Sequence, residues 1–150
     1  MPKKFYDRLD EHLGREPELA HAVVPMGMLL AWCVKMHLLN DQAQAEYEHL
    51  ILRIQVEEAL GSELLIACGG DLRRDMFSSA GQRFLDNFYP GYLALYAKLF
   101  GENYYVTADT WENYKVLAVV LTEKFMGPKA IPVTSNRQNL LGKIVRLFRN

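Results

Sequence analysis

Cysteine is scarce in this chain, and no hydrophobic run is long. The only two cysteines among 150 residues, Cys33 and Cys68, both lie in apolar stretches. They predict two buried, reduced thiols, as is usual in the cytoplasm. The longest apolar run, Val23 to Val34, is shorter than the roughly 20 residues of a membrane-spanning helix. The N-terminal residues are too charged for a signal peptide, so we expect a cytoplasmic protein without a transmembrane segment.

The motifs of metal, phosphate and nucleophile sites are also missing. The four histidines (His12, His21, His37 and His49) form no HxxxH or HExxH pair, and there is no CxxC. Gly69-Gly70 does not belong to a phosphate-binding loop and is better explained as a helix end. There is no GxSxG motif. The sequence therefore predicts no metal, no cofactor and no recognisable catalytic residue.

Charge is unevenly distributed along the chain. Residues 1–123 contain 11 Lys and Arg against 18 Asp and Glu, whereas residues 124–150 contain six basic residues and no acidic one. An acidic body argues against nucleic acid as a partner, because phosphate binding needs a basic surface. It favours a basic protein partner instead.

Apolar spacing predicts an all-α fold, with a single compact domain of six or seven helices. The first helix is predicted from Lys3 to Leu13, because Phe5, Leu9 and Leu13 recur every four residues. A further helix is predicted near Pro25 and another from Gln42 to Leu60. No strong strand pattern appears, and Tyr104-Tyr105-Val106 is the one candidate for a short extended piece. Residues 5–126 form the predicted domain, and residues 127–150 form a basic extension with an amphipathic helix, packed on or beside it.

Proline, glycine and small polar residues mark the predicted helix boundaries. Asn40 and Asp41 indicate a stop and a new N-cap, and Ser78 or Ser79 another cap. Pro90-Gly91 is expected to split or kink an aromatic-rich helix. Gly27 would let another backbone approach its helix closely.

The stretch ADTWENY, residues 108–114, combines two acids with a tryptophan and a tyrosine. Asp109 is predicted as an N-cap, and Glu112 has the spacing of a capping box. The residues that follow at helical steps predict a core stripe: Trp111, Tyr114, Ala118, Leu121 and Phe125. The start of a helix thus accounts for most of the polar residues in this stretch.

Several acidic and aromatic residues remain candidates for a partner-binding surface. Carboxylates that lie one helical turn apart or flank basic residues could also do acid–base work, if the fold made them converge. Tyrosines at helical spacing are core residues first, although an exposed hydroxyl makes a good interface anchor. The candidate residues are Asp7, Asp10, Glu11, Asp71, Asp75, Tyr92, Asp109 and Trp111.

Four stretches together resemble an uncharacterised family of small bacterial helical domains. They are FYDRLDEHLG, PMGMLLAW, GGDLRRDMFSSAGQRFLDNFY with YLALYAKLFG, and DTWENY. The resemblance covers residues 5–126, with departures at Pro25 and Ala80. It implies no catalytic residue. Similar small, acidic bacterial domains serve as immunity proteins, which bind and neutralise a toxin.

Three functional hypotheses follow from the sequence. The first is a non-enzymatic protein-binding domain, specifically an immunity protein against a bacterial toxin. The second is a small ligand-binding protein or enzyme whose site is lined by Asp7, Asp71, Asp109 and Trp111. The third is a membrane-peripheral or structural adaptor that uses residues 135–150. The oligomeric state is left open.

Overall fold

Helices dominate residues 3–127, which are the part of the chain that the computed structural model describes. The all-α prediction is thereby confirmed for these residues, apart from one small sheet. The helices are α1 Leu9–Leu13, α2 Leu19–Ala22, α3 Val24–Lys35, α4 Asp41–Glu46, α5 Glu48–Gln55, α6 Gly61–Ala67, α7 Ser79–Phe88, α8 Tyr92–Phe100 and α9 Trp111–Met126. Short 3₁₀ turns lie at Arg74–Met76, Tyr89–Gly91 and Tyr104–Val106. The predicted basic extension lies outside the described residues, apart from Gly127.

A small sheet forms where the sequence has no strong strand pattern, whereas the candidate extended piece at Tyr104–Val106 is a 3₁₀ turn. Strands β1 Phe5–Arg8 and β2 Asp71–Arg73 form a two-stranded antiparallel sheet, in which Asp7 pairs with Leu72 and Arg8 with Asp71. The register shifts between Phe5 and Asp7, as in a β-bulge. The first predicted helix is therefore strand in its first half, because pairing with a segment more than 60 residues away overrides its local periodicity.

The core is built around α3. Every side chain from Val24 to Val34 is buried, so this helix is apolar on all sides, as a central helix must be. Gly27 lies so close to α6 that an added Cβ would be 2.7 Å from the backbone nitrogen of Ser62. The predicted close approach of another backbone at Gly27 is thus present, and α6 is the partner.

Most helix boundaries lie where proline, glycine and capping residues predict them. The Asn40 side chain accepts from the Ala43 N–H, and the Ser78 hydroxyl accepts from the Gly81 N–H. The Tyr89–Gly91 turn separates α7 from α8. The helix predicted from Gln42 to Leu60 is different: it is interrupted at Tyr47 and ends at Gln55.

Candidate functional site

The buried polar cluster of this domain begins at Asp7 in β1. Asp7 is the one buried residue of that strand, with 8% of its surface exposed. His12 follows in α1 and is fully buried, and its Nε2 lies 2.6 Å from Asp7 Oδ2. Tyr105 approaches from the last 3₁₀ turn, with its hydroxyl 2.5 Å from His12 Nδ1. Tyr89, which begins the preceding turn, donates its hydroxyl proton to the same Asp7 Oδ2.

These four residues, the Asp7 cluster, form one continuous hydrogen-bond chain. Burial raises the pKa of Tyr105, and burial together with the charge of Asp7 raises the pKa of Tyr89 well above its ordinary value. Both phenols therefore keep their protons. The chain is complete when Tyr105 donates to His12 Nδ1, His12 donates from Nε2 to Asp7, and Tyr89 donates to Asp7.

Asp7 remains ionised despite its burial. Desolvation alone would raise the pKa of its carboxyl, but hydrogen bonds from His12 and Tyr89 and the Arg8 N–H outweigh it and lower the pKa below the ordinary value. The Arg8 N–H donates to Oδ1 over 2.8 Å. The cluster thus holds a desolvated negative charge that is stabilised by fixed donors.

An open cleft of about 480 Å³ lies beside the Asp7 cluster. We call it the N-terminal cleft. One wall comes from the start of the chain and the other from α7, the turn after it and α8. The first wall consists of Lys3, Tyr6, Asp7, Glu11 and Arg15, and the second of Leu85, Asp86, Tyr89, Pro90 and Leu93.

Asp86 in the second wall is bound by Tyr6 of the first wall and by Arg74, which does not line the cleft. The Tyr6 hydroxyl donates to Asp86 Oδ1 over 2.6 Å, and Arg74 donates to both carboxylate oxygens over 3.0 Å. The paired guanidinium and the hydroxyl lower the pKa of Asp86. This carboxylate therefore has its charge balanced within the protein, in contrast to Glu11, which is exposed and pairs with no other described side chain.

The predicted site residues of the N-terminal region are only partly brought together. Asp7 and Glu11 both line the N-terminal cleft, whereas Asp10 is exposed and does not line it. Asp71 forms an ion pair of 3.2 Å with Arg8 across the sheet. Asp75 lies beyond β2 and approaches Arg73 Nε at 3.4 Å.

Tyr92 cannot serve as the exposed partner-binding residue that was predicted from the sequence. It is fully buried, and its hydroxyl donates to the Pro25 carbonyl oxygen over 2.5 Å. Its ring lies between those of Tyr89 and Tyr96, at centroid distances of 5.4 and 5.9 Å. Tyr92 is therefore a core residue that ties α8 to the first turn of α3.

Asp109 does not cap α9, which corrects a second expectation. Thr110 is the N-cap, and its hydroxyl accepts from the Asn113 N–H. Asp109 instead accepts from the Ser62 hydroxyl over 2.6 Å, which ties the loop before α9 to α6. Burial raises the pKa of Asp109, and the Ser62 hydrogen bond only partly offsets that effect.

Trp111 lies two residues after Asp109 in the chain and does not line the N-terminal cleft. It is half-buried, with its ring against Tyr114 and with Lys35 Nζ 4.8 Å from its centroid. Asp109 and Trp111 line a cavity of only about 10 Å³ that shares no residue with the N-terminal cleft. The four residues of the predicted ligand or enzyme site therefore do not line one cavity.

Sequence reasoning missed His12, Tyr89 and Tyr105 as members of a site. His12 was one of four unpaired histidines, and its partner Tyr105 lies 93 residues away. The one local signal is the spacing of Asp7 and His12, five residues apart. That spacing brings the side chains together only because a strand changes to a helix between them.

Metal and membrane sites find no support within residues 3–127. No group of three or more His, Cys, Asp or Glu residues there is arranged to hold a metal ion. None of the helices in the same range is both long and apolar enough to cross a membrane. Cys33 and Cys68 are both buried free thiols, as predicted.

Comparison with known proteins places the chain in a family without assigning it an activity. No curated protein matches the chain, and no solved structure does. A family described as a domain of unknown function (DUF7832) matches residues 5–110. This range includes Asp7, His12, Tyr89 and Tyr105, and it covers more than half of the sequence. The chain therefore belongs to the family of domains of unknown function DUF7832.

Proposed function

We propose that this chain is a non-enzymatic protein-binding domain, and specifically a bacterial immunity protein that neutralises a toxin in the cytoplasm. The observation that carries the proposal is an open cleft beside a polar cluster whose groups are already paired with one another. Such a site offers a preformed shape and a fixed charge. It does not offer a free imidazole as a general base, because both ring nitrogens of His12 are engaged.

His12 is the group in the cleft region that would be best suited to acid–base chemistry. Its side chain has no solvent exposure, and its two ring nitrogens are engaged by Asp7 and Tyr105. A general base must lie within hydrogen-bond reach of the proton that it removes. A fully enclosed imidazole with both nitrogens occupied does not meet that requirement, which favours binding over catalysis.

Charge supports a basic protein as the partner. Residues 3–127 contain 12 Lys and Arg against 18 Asp and Glu, a net charge of −6. Opposite charges on two proteins accelerate their association and suppress wrong partners. Toxins that act on nucleic acid need a basic surface for the phosphate backbone, so a toxin of that class would complement this domain.

A small-molecule receptor is the second candidate, and the volume of the cleft favours it. About 480 Å³ falls within the roughly 300–1,000 Å³ of ligand pockets. A screen of small metabolites by thermal shift would separate the two functions. A receptor should be stabilised by one compound class, whereas a protein-binding domain should respond only to its partner.

Co-expression with the product of the neighbouring gene tests the immunity proposal. We expect cells that express this product to stop growing, and we expect growth to resume when the chain is present. The two purified proteins should form a stable complex. If the neighbouring product is not toxic, or if the chain neither rescues growth nor binds it, the immunity proposal is rejected.

A pair of charge reversals locates the surface involved. Glu11→Lys changes an exposed carboxylate in the cleft wall, and Glu102→Lys changes an exposed one in the loop after α8, outside the cleft. We expect Glu11→Lys to slow association by about tenfold at low salt, because rim charges act mainly on the association rate. Glu102→Lys should have a much smaller effect.

A further inference from the structure

We infer that the N-terminal cleft receives one basic side chain, a lysine or an arginine, of the protein partner, and that the Asp7 carboxylate is its counter-charge. This inference rests on the proposed protein-binding function and specifies the chemistry of the bound segment. It depends on three features of the described residues: an open acceptor position, a dominant charge and an apolar wall.

The open acceptor position lies on Asp7 Oδ1. An ionised carboxylate accepts roughly four hydrogen bonds, about two at each oxygen. Oδ2 already accepts from His12 and Tyr89, whereas Oδ1 accepts only from the Arg8 N–H. Asp7 lines the cleft, although its side chain is only 6% exposed. A donor that reaches Oδ1 from the cleft would complete the coordination of this carboxylate.

Asp7 also carries the dominant charge. Asp86 also lines the cleft, but it is exposed, and Arg74 and Tyr6 already satisfy it. Lys3, Glu11 and Arg15 are exposed and form no ion pair with a described side chain, although the charge of Arg15 acts on Tyr105. Water and salt screen such rim charges, and the Debye length is about 8 Å at physiological ionic strength. The desolvated charge of Asp7 is screened much less, so it acts more strongly on a group inside the cleft than an exposed rim charge does.

The remaining wall of the cleft suits the stem of a long basic side chain. Leu85, Pro90 and Leu93 provide apolar surface, and Tyr6 and Tyr89 provide aromatic rings. Lysine and arginine bury their methylene stems along apolar surface while the charged end finds a polar partner. Aromatic rings add cation–π attraction within about 6 Å. A neutral apolar side chain would use this wall but would donate no second hydrogen bond to Oδ1.

Blocked amino acids test the charge requirement directly on the full chain. The probes are N-acetyl-lysine methylamide and N-acetyl-arginine methylamide, and the neutral controls are the corresponding norleucine and citrulline compounds. Binding is followed by NMR shifts of the Leu85 and Leu93 methyl groups. We expect dissociation constants on the order of 1–10 mM for the cationic probes and at least about tenfold weaker binding for the neutral ones.

Two sets of variants check the position of the cation. Asp7→Asn should remove the preference for the cationic probes, but it also perturbs a buried cluster. Leu93→Arg avoids this problem because Leu93 is only partly buried in the cleft wall. Its own guanidinium should occupy the cleft and weaken binding of the lysine probe by about tenfold or more. Leu93→Met retains volume and hydrophobicity and should bind the probe as the wild type does.

Equal binding of lysine and norleucine probes, or no binding of either, would overturn the inference. Binding that appears only after Lys143 and Arg146 are changed to glutamine would also overturn it, because the occupant would then be the chain's own basic segment. None of these results touches the proposed function, which is judged separately by growth rescue. A chain that neutralises its toxin but ignores the cationic probes refutes only the cleft assignment.

Discussion

Asp7 and Asp109 show how one residue type acquires opposite roles from its surroundings. Asp7 accepts from two side chains and one backbone N–H, and these donors lower its pKa despite burial. Asp109 accepts from Ser62 alone, and burial raises its pKa. The ionised form is therefore favoured by folding at Asp7 and disfavoured at Asp109.

Asp7→Asn should destabilise the domain by about 2–4 kcal/mol at neutral pH, because it removes the charge that three donors stabilise. A folded-state pKa below the ordinary 3.8 means that the stabilisation is present above that pH and is lost as pH falls through the folded pKa. The difference in free energy of unfolding between wild type and variant should therefore become smaller as the pH falls. Urea unfolding at about pH 7, 5 and 3.5 measures it.

Asp10→Asn is the matched control for that experiment, since Asp10 is exposed and lies only three residues away. It should change the free energy of unfolding by no more than about 0.5 kcal/mol. If the difference in free energy of unfolding between wild type and Asp7→Asn were the same at low pH, the effect would come from packing and not from the charge.

Asp109→Asn should leave stability at neutral pH unchanged or raise it. The amide keeps an acceptor for the Ser62 hydroxyl and removes a charge that burial disfavours. Because the folded pKa is raised, any gain is present above that pKa and disappears as pH falls through it and both forms become neutral. Ser62→Ala is the comparison variant. It should destabilise the domain, because it deprives Asp109 of its hydrogen-bond donor. Destabilisation by Asp109→Asn would contradict this assignment.

At the scale of elements, the contact between α3 and α6 depends on two glycines. An added Cβ at Gly61 would lie 1.9 Å from the Gly27 carbonyl oxygen and 2.8 Å from the Ala31 Cβ. The first of these atoms belongs to the backbone of the central helix. The two helices can therefore pack at this distance only when both positions lack a side chain.

Gly61→Ala should consequently destabilise the domain by more than about 4 kcal/mol, which is comparable with the whole stability of a small domain. Thermal unfolding and soluble yield measure this loss. Gly91→Ala is the control, because no atom lies within 4 Å of a Cβ built there. It should be neutral or slightly stabilising. A folded Gly61→Ala variant with wild-type stability would show that α3 and α6 can separate without loss.

The same scale shows which elements the sequence can predict. The helix ends at Asn40 and Ser78 and the break at Pro90-Gly91 are encoded by the local chemistry of those residues. Strand β1 is not encoded locally, because Phe5, Leu9 and Leu13 have helical spacing and only pairing with β2 selects the extended form. Asp109 was misassigned because Thr110 next to it can also cap a helix, and Asp109 is engaged by Ser62 instead.

At the scale of the whole molecule, the cleft is assembled from distant segments. Asp7 meets Tyr89, which lies 82 residues away, and His12 meets Tyr105. Tyr89 and Tyr105 therefore carry no local signal of their role, and His12 has only its spacing from Asp7. Asp7 and Glu11 could be proposed from the sequence because charge is visible residue by residue. Their convergence on one cleft requires the fold.

Charge is also partitioned across the molecule, and this leads to a last prediction. Residues 3–127 carry a net charge of −6, whereas residues 128–150 contain five basic residues and no acidic one. Long-range attraction to a basic toxin depends on the sum of these charges. Replacing all five basic residues with glutamine changes the net charge of the chain from −1 to −6. Association should then accelerate by about three- to tenfold at low salt.

Stopped-flow association with the toxin at several salt concentrations measures this effect. The gain should vanish near 0.5 M salt, where the Debye length is only about 4 Å and distant charges no longer act on the encounter. The control exchanges lysine and arginine at the same five positions, which retains the charge and should leave the rate unchanged. Slower association of the glutamine variant would mean that residues 128–150 contact the toxin themselves, because lost contacts would then outweigh the gain in long-range attraction.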